Sequence, residues 1–401
     1  MTSNRIPLHR VQGTHYEYSY QLGQLTRESI RQRIANDFAY LSKLFHFIQT
    51  EYGQKLHRGF IETTRSIYPW YWDEIRGLAD GSQVPLEQIV VLNFLNETRT
   101  VYRLLDEKKK LENETGEQGC TTVLINRKDT ETLSLLHNED HSSALYMTGY
   151  LVEADIQPSK YDNDQRDSPK EKFVAYCYAG SIPGNAFGVN VHGFVCALNG
   201  LYPDFVVADR LPRQIVNRAL LSVKNEDELD KLLQSSPVAY GFCINGGFLR
   251  QKTHLLNYEI GPNLNENNQN YISKCRIINS EGKFNDDSDA RNYLVHYNHY
   301  ERLNHVIRQQ KALDSSYSRW KRGKELGEIF TTADAIRLLG DHENEQFPIF
   351  RTSNGSDVNS VTLCTVHINF LTLQLEIYQQ NPKDNKQPSI TYNLRDIFSS
   401  E

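Results

Sequence analysis

Gln118-Gly119-Cys120-Thr121-Thr122 is the stretch on which the reading of this chain turns. Upstream, eight of the thirteen residues from Asp106 to Gln118 are charged. Downstream, Thr121-Thr122-Val123-Leu124-Ile125 is a β-type run suited to a buried strand. Cys120 therefore stands where an exposed, cuttable linker meets the mouth of a core strand. Gly119 permits backbone geometry that other residues resist. If the chain cuts itself between Gly119 and Cys120, the thiol gains an N-terminal amine beside it. A thiol titrates near about 8.5 and an α-amine near about 7.7–8.0, so that amine can take the thiol proton near neutral pH. No catalytic histidine is then needed. A lone cysteine is equally the mark of a small buried apolar side chain, and the residues alone leave both readings open.

The segment before the linker patterns as helix. Ile30, Ile34, Phe38, Leu41, Phe45 and Ile48 recur at steps of three and four, which predicts one stripe on one long helix. Further helices are predicted over 54–67, 70–80 and 86–104, the last two separated by Gly81-Ser82-Gln83-Val84-Pro85. After Cys120 the pattern turns to β. Thr121–Ile125 and Thr132–Leu136 flank a polar turn, and Ala186–Asn190 and Phe194–Leu198 flank Val191-His192-Gly193. Strands are also predicted at Phe173–Ala179, around Gly246-Gly247, at Val361–Phe370 and at Leu373–Tyr378, with 157–172 a surface loop. Helices are predicted at Arg210–Leu221, Glu226–Leu233, Ser315–Ile329 and Thr332–Leu339. Thr331 with Asp334 gives the last a capping box and Gly340 a stop. Segregated helices and strands imply an α+β fold.

Composition narrows the function classes. With 39% hydrophobic and 23% charged residues, the 401-residue chain suits a globular protein with a sizeable core. A net charge of −6 supplies no basic excess for a nucleic acid. No apolar run approaches the roughly 20 residues that span a bilayer, and Met1–Arg5 lack the apolar core of a secretory signal, so a cytoplasmic location is expected. Six scattered cysteines without a Cys-x-x-Cys pair then imply free thiols. The sequons at Asn96, Asn113 and Asn354 are read as accidental. His137-x-x-x-His141 fails the zincin pattern because Asn138 stands where glutamate is needed, so no metal is expected. No Gly-x-Ser-x-Gly elbow or phosphate-binding loop supports another chemistry.

Several separated motifs together resemble the acyl-coenzyme A:6-aminopenicillanic-acid acyltransferase family of N-terminal-nucleophile hydrolases. They are Gly119-Cys120-Thr121-Thr122, His137-Asn138-Glu139-Asp140, Gly193 through Asn199, His296-Tyr297-Asn298-His299, and Ser315-Ser316 with Arg319. The resemblance implies a four-layer αββα core. It also implies a cut before Cys120, giving a helical segment 1–119 and a catalytic core 120–401 that stay associated. Cys120 is implied as nucleophile, Asp140 as the group that orients its amine, and Asn199 as an oxyanion donor. Asn138, Glu139, Asn298 and Arg319 are implied as active-site support, Arg319 through pairing with acids. The implied substrates are small β-alanyl amines, with Glu139 a candidate for their ammonium and no cofactor. Acyl transfer from a coenzyme A thioester to an amine is the alternative within the family. An uncleaved binding protein is the alternative outside it.

Overall fold

The structure, a computed structural model, describes residues 6–105, 119–161, 166–264, 269–279, 291–309, 313–352 and 360–398. The predicted linker 106–118 and the sequons at Asn113 and Asn354 lie outside them. The elements run β1 (Leu8–Gly13), α1 (His15–Asn36), α2 (Phe38–Phe47), α3 (Glu51–Ile67), α4 (Pro69–Ser82), α5 (Leu86–Asn93) and α6 (Leu95–Leu105). Then come β2 (Thr121–Arg127), β3 (Thr132–Ser142), β4 (Tyr150–Ile156), β5 (Lys160–Tyr161), β6 (Arg166–Asp167), β7 (Glu171–Cys177), β8 (Phe187–Asn190) and β9 (Phe194–Gly200). α7 (Arg213–Ala219), α8 (Glu226–Ser235), β10 (Phe242–Phe248), β11 (Gln251–Pro262), β12 (Asn270–Ile278) and β13 (Tyr293–His296) follow. α9 (Asp314–Leu326), α10 (Thr332–Leu339), β14 (Ser360–Asn369), β15 (Gln374–Tyr378), β16 (Ile390–Asn393) and α11 (Arg395–Phe398) complete the chain.

Two sheets dominate this α+β fold. One has the order β1-β4-β7-β8-β9-β10-β11-β12 and the other β13-β2-β3-β14-β15-β16. Leu124 and Leu135 of the six-stranded sheet share one apolar cluster with Val174, Val195 and Leu255 of the eight-stranded sheet. On the far side of the eight-stranded sheet, Val152, Phe173 and Ile244 cluster with Leu22, Ile75 and Val91 of the N-terminal helices. Val123 and Leu136, which alternate with Leu124 and Leu135, instead meet Leu338 and Leu339 of α10. The period-two alternation of β2 and β3 thus divides their side chains between two cores.

The N-terminal segment is built into the rest. β1 pairs in parallel with β4, from Leu8 opposite Leu151 to Gly13 opposite Ile156. A fully buried ion cluster adds to this. Arg218 of α7 meets Glu74 of α4 at 2.7 Å and Glu171 of β7 at 2.5 Å, and His15 of α1 bonds Glu74 at 2.6 Å. Among the described residues no helix is long and apolar enough to cross a membrane. All six cysteines are buried, and none is in a disulfide.

The long stripe from Ile30 to Ile48 is two helices, not one. Asp37 leaves helical geometry at φ −116°, ψ 21°, and Phe38 after it is 60% exposed. Spacing of three and four persists through such a bend, so the pattern alone cannot reveal it. The predicted helix 86–104 is likewise broken, at the buried Phe94, where the Asn93 side chain bonds Gly180 O at 3.0 Å. Gly246 and Gly247 lie inside β10 and do not form a turn; a Cβ on Gly246 would come 2.1 Å from Val195 O of β9. β5 and β6 pair within the predicted surface loop 157–172. β1, β4, β12, β13 and β16 are additional to the predicted strands, although Val152-Glu153-Ala154-Asp155-Ile156 of β4 alternates apolar with polar residues. The capping box of α10 is present as predicted.

α1 and α4 pack closely through glycines. A Cβ on Gly81 would lie 2.0 Å from Tyr20 O, and one on Gly77 2.4 Å from Tyr16 O. Alanine raises helix propensity by about 1 kcal/mol over glycine, but backbone oxygens cannot step aside. Gly81→Ala is expected to lower stability by about 1–3 kcal/mol, read as a shifted midpoint in urea unfolding.

Candidate active site

Cys120 immediately precedes β2, and the hairpin β2–β3 sets its neighbours. In the hairpin register Thr121 faces Asn138 and Thr122 faces His137. β3 continues to Ser142, so His137 through Asp140 lie within the strand and not at its end. The pairing of β14 with β3 shifts register between Thr362 and Cys364, opposite Asp140 and Glu139. With that irregularity beside them, both consecutive acids line the cavity next to Cys120. The cavity measures about 30 Å³, room for about one water.

The thiol sulfur lies 3.6 Å from Glu139 Oε1 and 3.8 Å from the Asp140 carbonyl oxygen. Burial, then the charges of Glu139 and Asp140, push the thiol well above its ordinary range. The Cys120 carbonyl is clasped from two sides: Asn199 Nδ2 and Arg319 Nη1 each donate to it at 3.0 Å. Arg319 also donates to Thr121 Oγ1 and to Asn298 Oδ1, both at 2.8 Å. Asn298 in turn donates to Gly200 O at 3.0 Å. Gly119 sits in this ring without a side chain because none would fit. A Cβ there would lie 2.1 Å from Arg319 Nη2 and 2.4 Å from Asn298 Oδ1.

Behind the thiol runs a buried polar chain. Thr122 Oγ1 donates to Asn199 Oδ1 at 2.7 Å and lies 2.7 Å from His137 Nδ1. His137 Nε2 is 3.1 Å from Glu139 Oε2, and the Tyr178 hydroxyl donates to Glu139 Oε1. Asn245 Nδ2 donates to Asn199 Oδ1 at 2.8 Å. Asp140 Oδ1 accepts from Thr362 Oγ1 at 2.6 Å, and its other oxygen is 3.6 Å from Arg351 Nε. Burial raises the Asp140 carboxyl to about 6 against the pull of Arg351 and Arg319. Farther back, His296 sits 3.3 Å from Glu259, and burial of its ring is outweighed by Cys243 and Glu259, so it titrates well above its ordinary value. His299 bonds Ser316 Oγ at 2.8 Å, and burial lowers it to about 4.

Of the residues singled out in the sequence, Gly119, Cys120, Glu139, Asp140, Asn199, Asn298 and Arg319 converge here. Two differ from expectation. Asn138 faces away from the thiol, its amide donating to Leu339 O and Ile349 O at 2.8 and 3.1 Å. On β3 it carries the opposite side-chain direction from His137 and Glu139. Arg319 hydrogen-bonds neutral oxygens, and it is Arg351 that stands by Asp140. Thr122 and His137 lie in the quoted motifs but were assigned no role, and Tyr178, Asn245, Arg351 and Thr362 were not identified from sequence. The register of the first hairpin would have placed His137 opposite Thr122; the others come from distant segments.

Among the described residues, two clusters have ligand atoms within 4.8 Å of one another, Cys120–His137–Glu139 and His15–Glu74–Glu171. In the second, Arg218 already supplies the cation. In the first, His137 and Glu139 are bonded to each other, and Glu139 also accepts from the Tyr178 hydroxyl, so these donor atoms already have partners within the protein.

The profile of the acyl-coenzyme A:6-aminopenicillanic acid acyl-transferase family matches residues 125–384. The chain belongs to this family. The match begins five residues past Cys120, so in this member of the family the place of the thiol rests on the geometry above. Over 389 residues the chain is 24% identical to a β-alanyl-dopamine/carcinine hydrolase of Drosophila melanogaster, covering 95% of this chain and 94% of that one. It is 26% identical over 366 residues to the acyl-coenzyme A:6-aminopenicillanic-acid-acyltransferase 40 kDa form of Emericella nidulans, covering 88% and 87%.

Thr122→Val keeps the shape but removes the hydroxyl that joins His137 to Asn199. It is expected to cost about 1–3 kcal/mol of stability, measured by urea unfolding; a loss under 0.5 kcal/mol, the usual scatter for uninvolved sites, would show that the chain is not needed.

Proposed function

We propose that this chain is a self-processing N-terminal-nucleophile cysteine amidohydrolase acting on small β-alanyl amines such as N-β-alanyl-dopamine and carcinine. The observation that carries the reading is Cys120 itself. It is a buried thiol at the head of a core strand, beside two acids, with its carbonyl held by Asn199 and Arg319 and a glycine before it where no side chain fits. In this reading the two sheets and their flanking helices form a four-layer αββα core. Segment 1–119 is the smaller fragment and 120–401 the catalytic one. Their association after cleavage is supported by β1 within the larger sheet and by the ion cluster around Arg218.

In turnover the freed Cys120 amine takes the thiol proton, and the sulfur attacks the acyl carbon. Asn199 steadies the oxyanion by exchanging its longer bond, 3.3 Å to His296 O, for one to the substrate. The Cys120 ammonium returns the proton to the leaving amine, and water releases the acid. Asp140 orients that amine, which leaves Glu139 as the pocket carboxylate for a β-alanyl ammonium. No cofactor is required. A second reading, acyl transfer to another amine, follows from the name of the Emericella nidulans relative. The two differ in whether water or an amine resolves the thioester, and incubation with β-alanyl amines and acyl thioesters separates them.

Wild-type protein is expected to give two bands on a denaturing gel, the larger beginning Cys-Thr-Thr. Cys120→Ala is expected to give one band and no measurable turnover; cleavage of that variant at the same bond would refute self-processing. Asp140 must be ionised to hold the cysteine ammonium. Its carboxylate forms as pH rises through about 6, and the ammonium opposite lowers that point. The acid limb of kcat/KM is therefore expected at or below pH ~6, with activity falling as pH drops, and Asp140→Asn should lack it.

A further inference from the structure

We propose that the base for self-cleavage is Glu139, positioned by His137 and Tyr178, so that the chain cuts itself with one base and turns substrate over with another. This inference rests on the self-processing reading above. Before the cut the nitrogen of Cys120 belongs to a peptide bond and cannot take a proton. The amine that serves turnover therefore does not yet exist, while the buried thiol stays protonated and needs an acceptor. The basic oxygen within reach of the sulfur is Glu139 Oε1 at 3.6 Å; the Asp140 contact at 3.8 Å is a backbone carbonyl. The Asp140 carboxylate is turned toward Thr362 and Arg351.

The hydrogen-bond chain locates the protons. Asn199 Nδ2 faces two carbonyls, so its Oδ1 must face Thr122 and Asn245. Asn245 offers an amide donor, and the Thr122 hydroxyl gives its single hydrogen to Asn199. Thr122 then accepts from His137, whose proton is on Nδ1. His137 Nε2 is left facing Glu139 Oε2 at 3.1 Å, which holds that oxygen on the side away from the sulfur. Glu139 is thus held on both oxygens, with Oε1 turned to the sulfur and to the Tyr178 hydroxyl. Among the described residues, the titratable groups around it are Cys120, His137, Asp140, His141, Tyr176, Tyr178, Arg213 and Cys364.

The step balances as follows. The thiol proton moves to Glu139 Oε1 while the sulfur bonds to the carbonyl carbon of Gly119. The carbon–nitrogen bond to Cys120 breaks, and Glu139 passes the proton to the departing nitrogen, which becomes the free amine. One water then splits the Gly119 thioester, restoring the thiol and leaving a carboxyl group on Gly119. Glu139 ends as it began.

The test follows the full-length chain by pulse-labelled cell-free synthesis and denaturing gels across pH 5–8. Wild type is expected to cut itself, and Glu139→Gln to cut at least about 100-fold more slowly. Formate added to Glu139→Ala should restore part of the rate, which a merely structural role would not predict. Tyr178→Phe is a second, milder variant. Loss of its hydroxyl donor makes Glu139 more basic, so the acid limb of the cleavage rate should move to higher pH. Cleavage of Glu139→Gln at the wild-type rate, or an unmoved limb in Tyr178→Phe, overturns the proposal and leaves self-processing standing. A wild-type chain that never cuts overturns both.

Discussion

The carbonyl oxygen of Cys120 accepts hydrogen bonds from two sides, and the rest of the site is arranged to keep both donors in place. Asn199 reaches it from β9 of the larger sheet and Arg319 from α9. Arg319 continues to Asn298, and Asn298 to Gly200, the neighbour of Asn199. The result is a closed ring of neutral acceptors around one buried guanidinium. Burial lowers that guanidinium to about 10, with Arg351 adding to the effect, so it remains charged at neutral pH. Withdrawing one member of such a ring strands its partners, the costly way to lose a buried hydrogen bond.

The acids near this ring have been given opposite environments. Glu259 is brought to about 2: burial raises it, but His296, Arg302 and the backbone N–H of Glu301 outweigh burial. It shapes the loop that carries Asn298 and stays ionised. Asp140 has a nearby cation and one hydroxyl, and burial wins, leaving it near 6. A carboxyl held close to working pH can change state during chemistry; one held at about 2 cannot. That contrast separates a carboxylate that stays ionised throughout from one whose charge depends on pH near neutrality.

The N-terminal helices reach the same centre. Glu74 of α4 holds both His15 of α1 and Arg218 of α7, and β1 closes the edge of the larger sheet. Asn96 of α6 lines the cavity beside Cys120 together with Asn217 and Arg213 of α7. A segment that contributes a wall to the pocket, a strand to the sheet and charges to the core is part of the same folding unit. Cutting the chain at Cys120 would change its covalent continuity without removing those contacts.

Local chemistry was legible in the residues: strand character after Cys120, the Thr331–Asp334 capping box and the first two hairpins. These depend on neighbours within a few positions, which the sequence displays directly. The break at Asp37, the length of β3, the outward turn of Asn138 and the pairing of Asp140 with Arg351 instead of Arg319 were not legible. Each is decided by contacts across long sequence separations; Arg351 lies 211 positions from Asp140. By itself the sequence singled out the thiol that stands at the head of a core strand and showed where the chain turns from helix to strand. Only tertiary structure decided which carboxylate faces the sulfur and which cation faces the carboxylate. Electrostatics and hydrogen bonding depend on distance in space, and distance in space is what the order of residues does not contain.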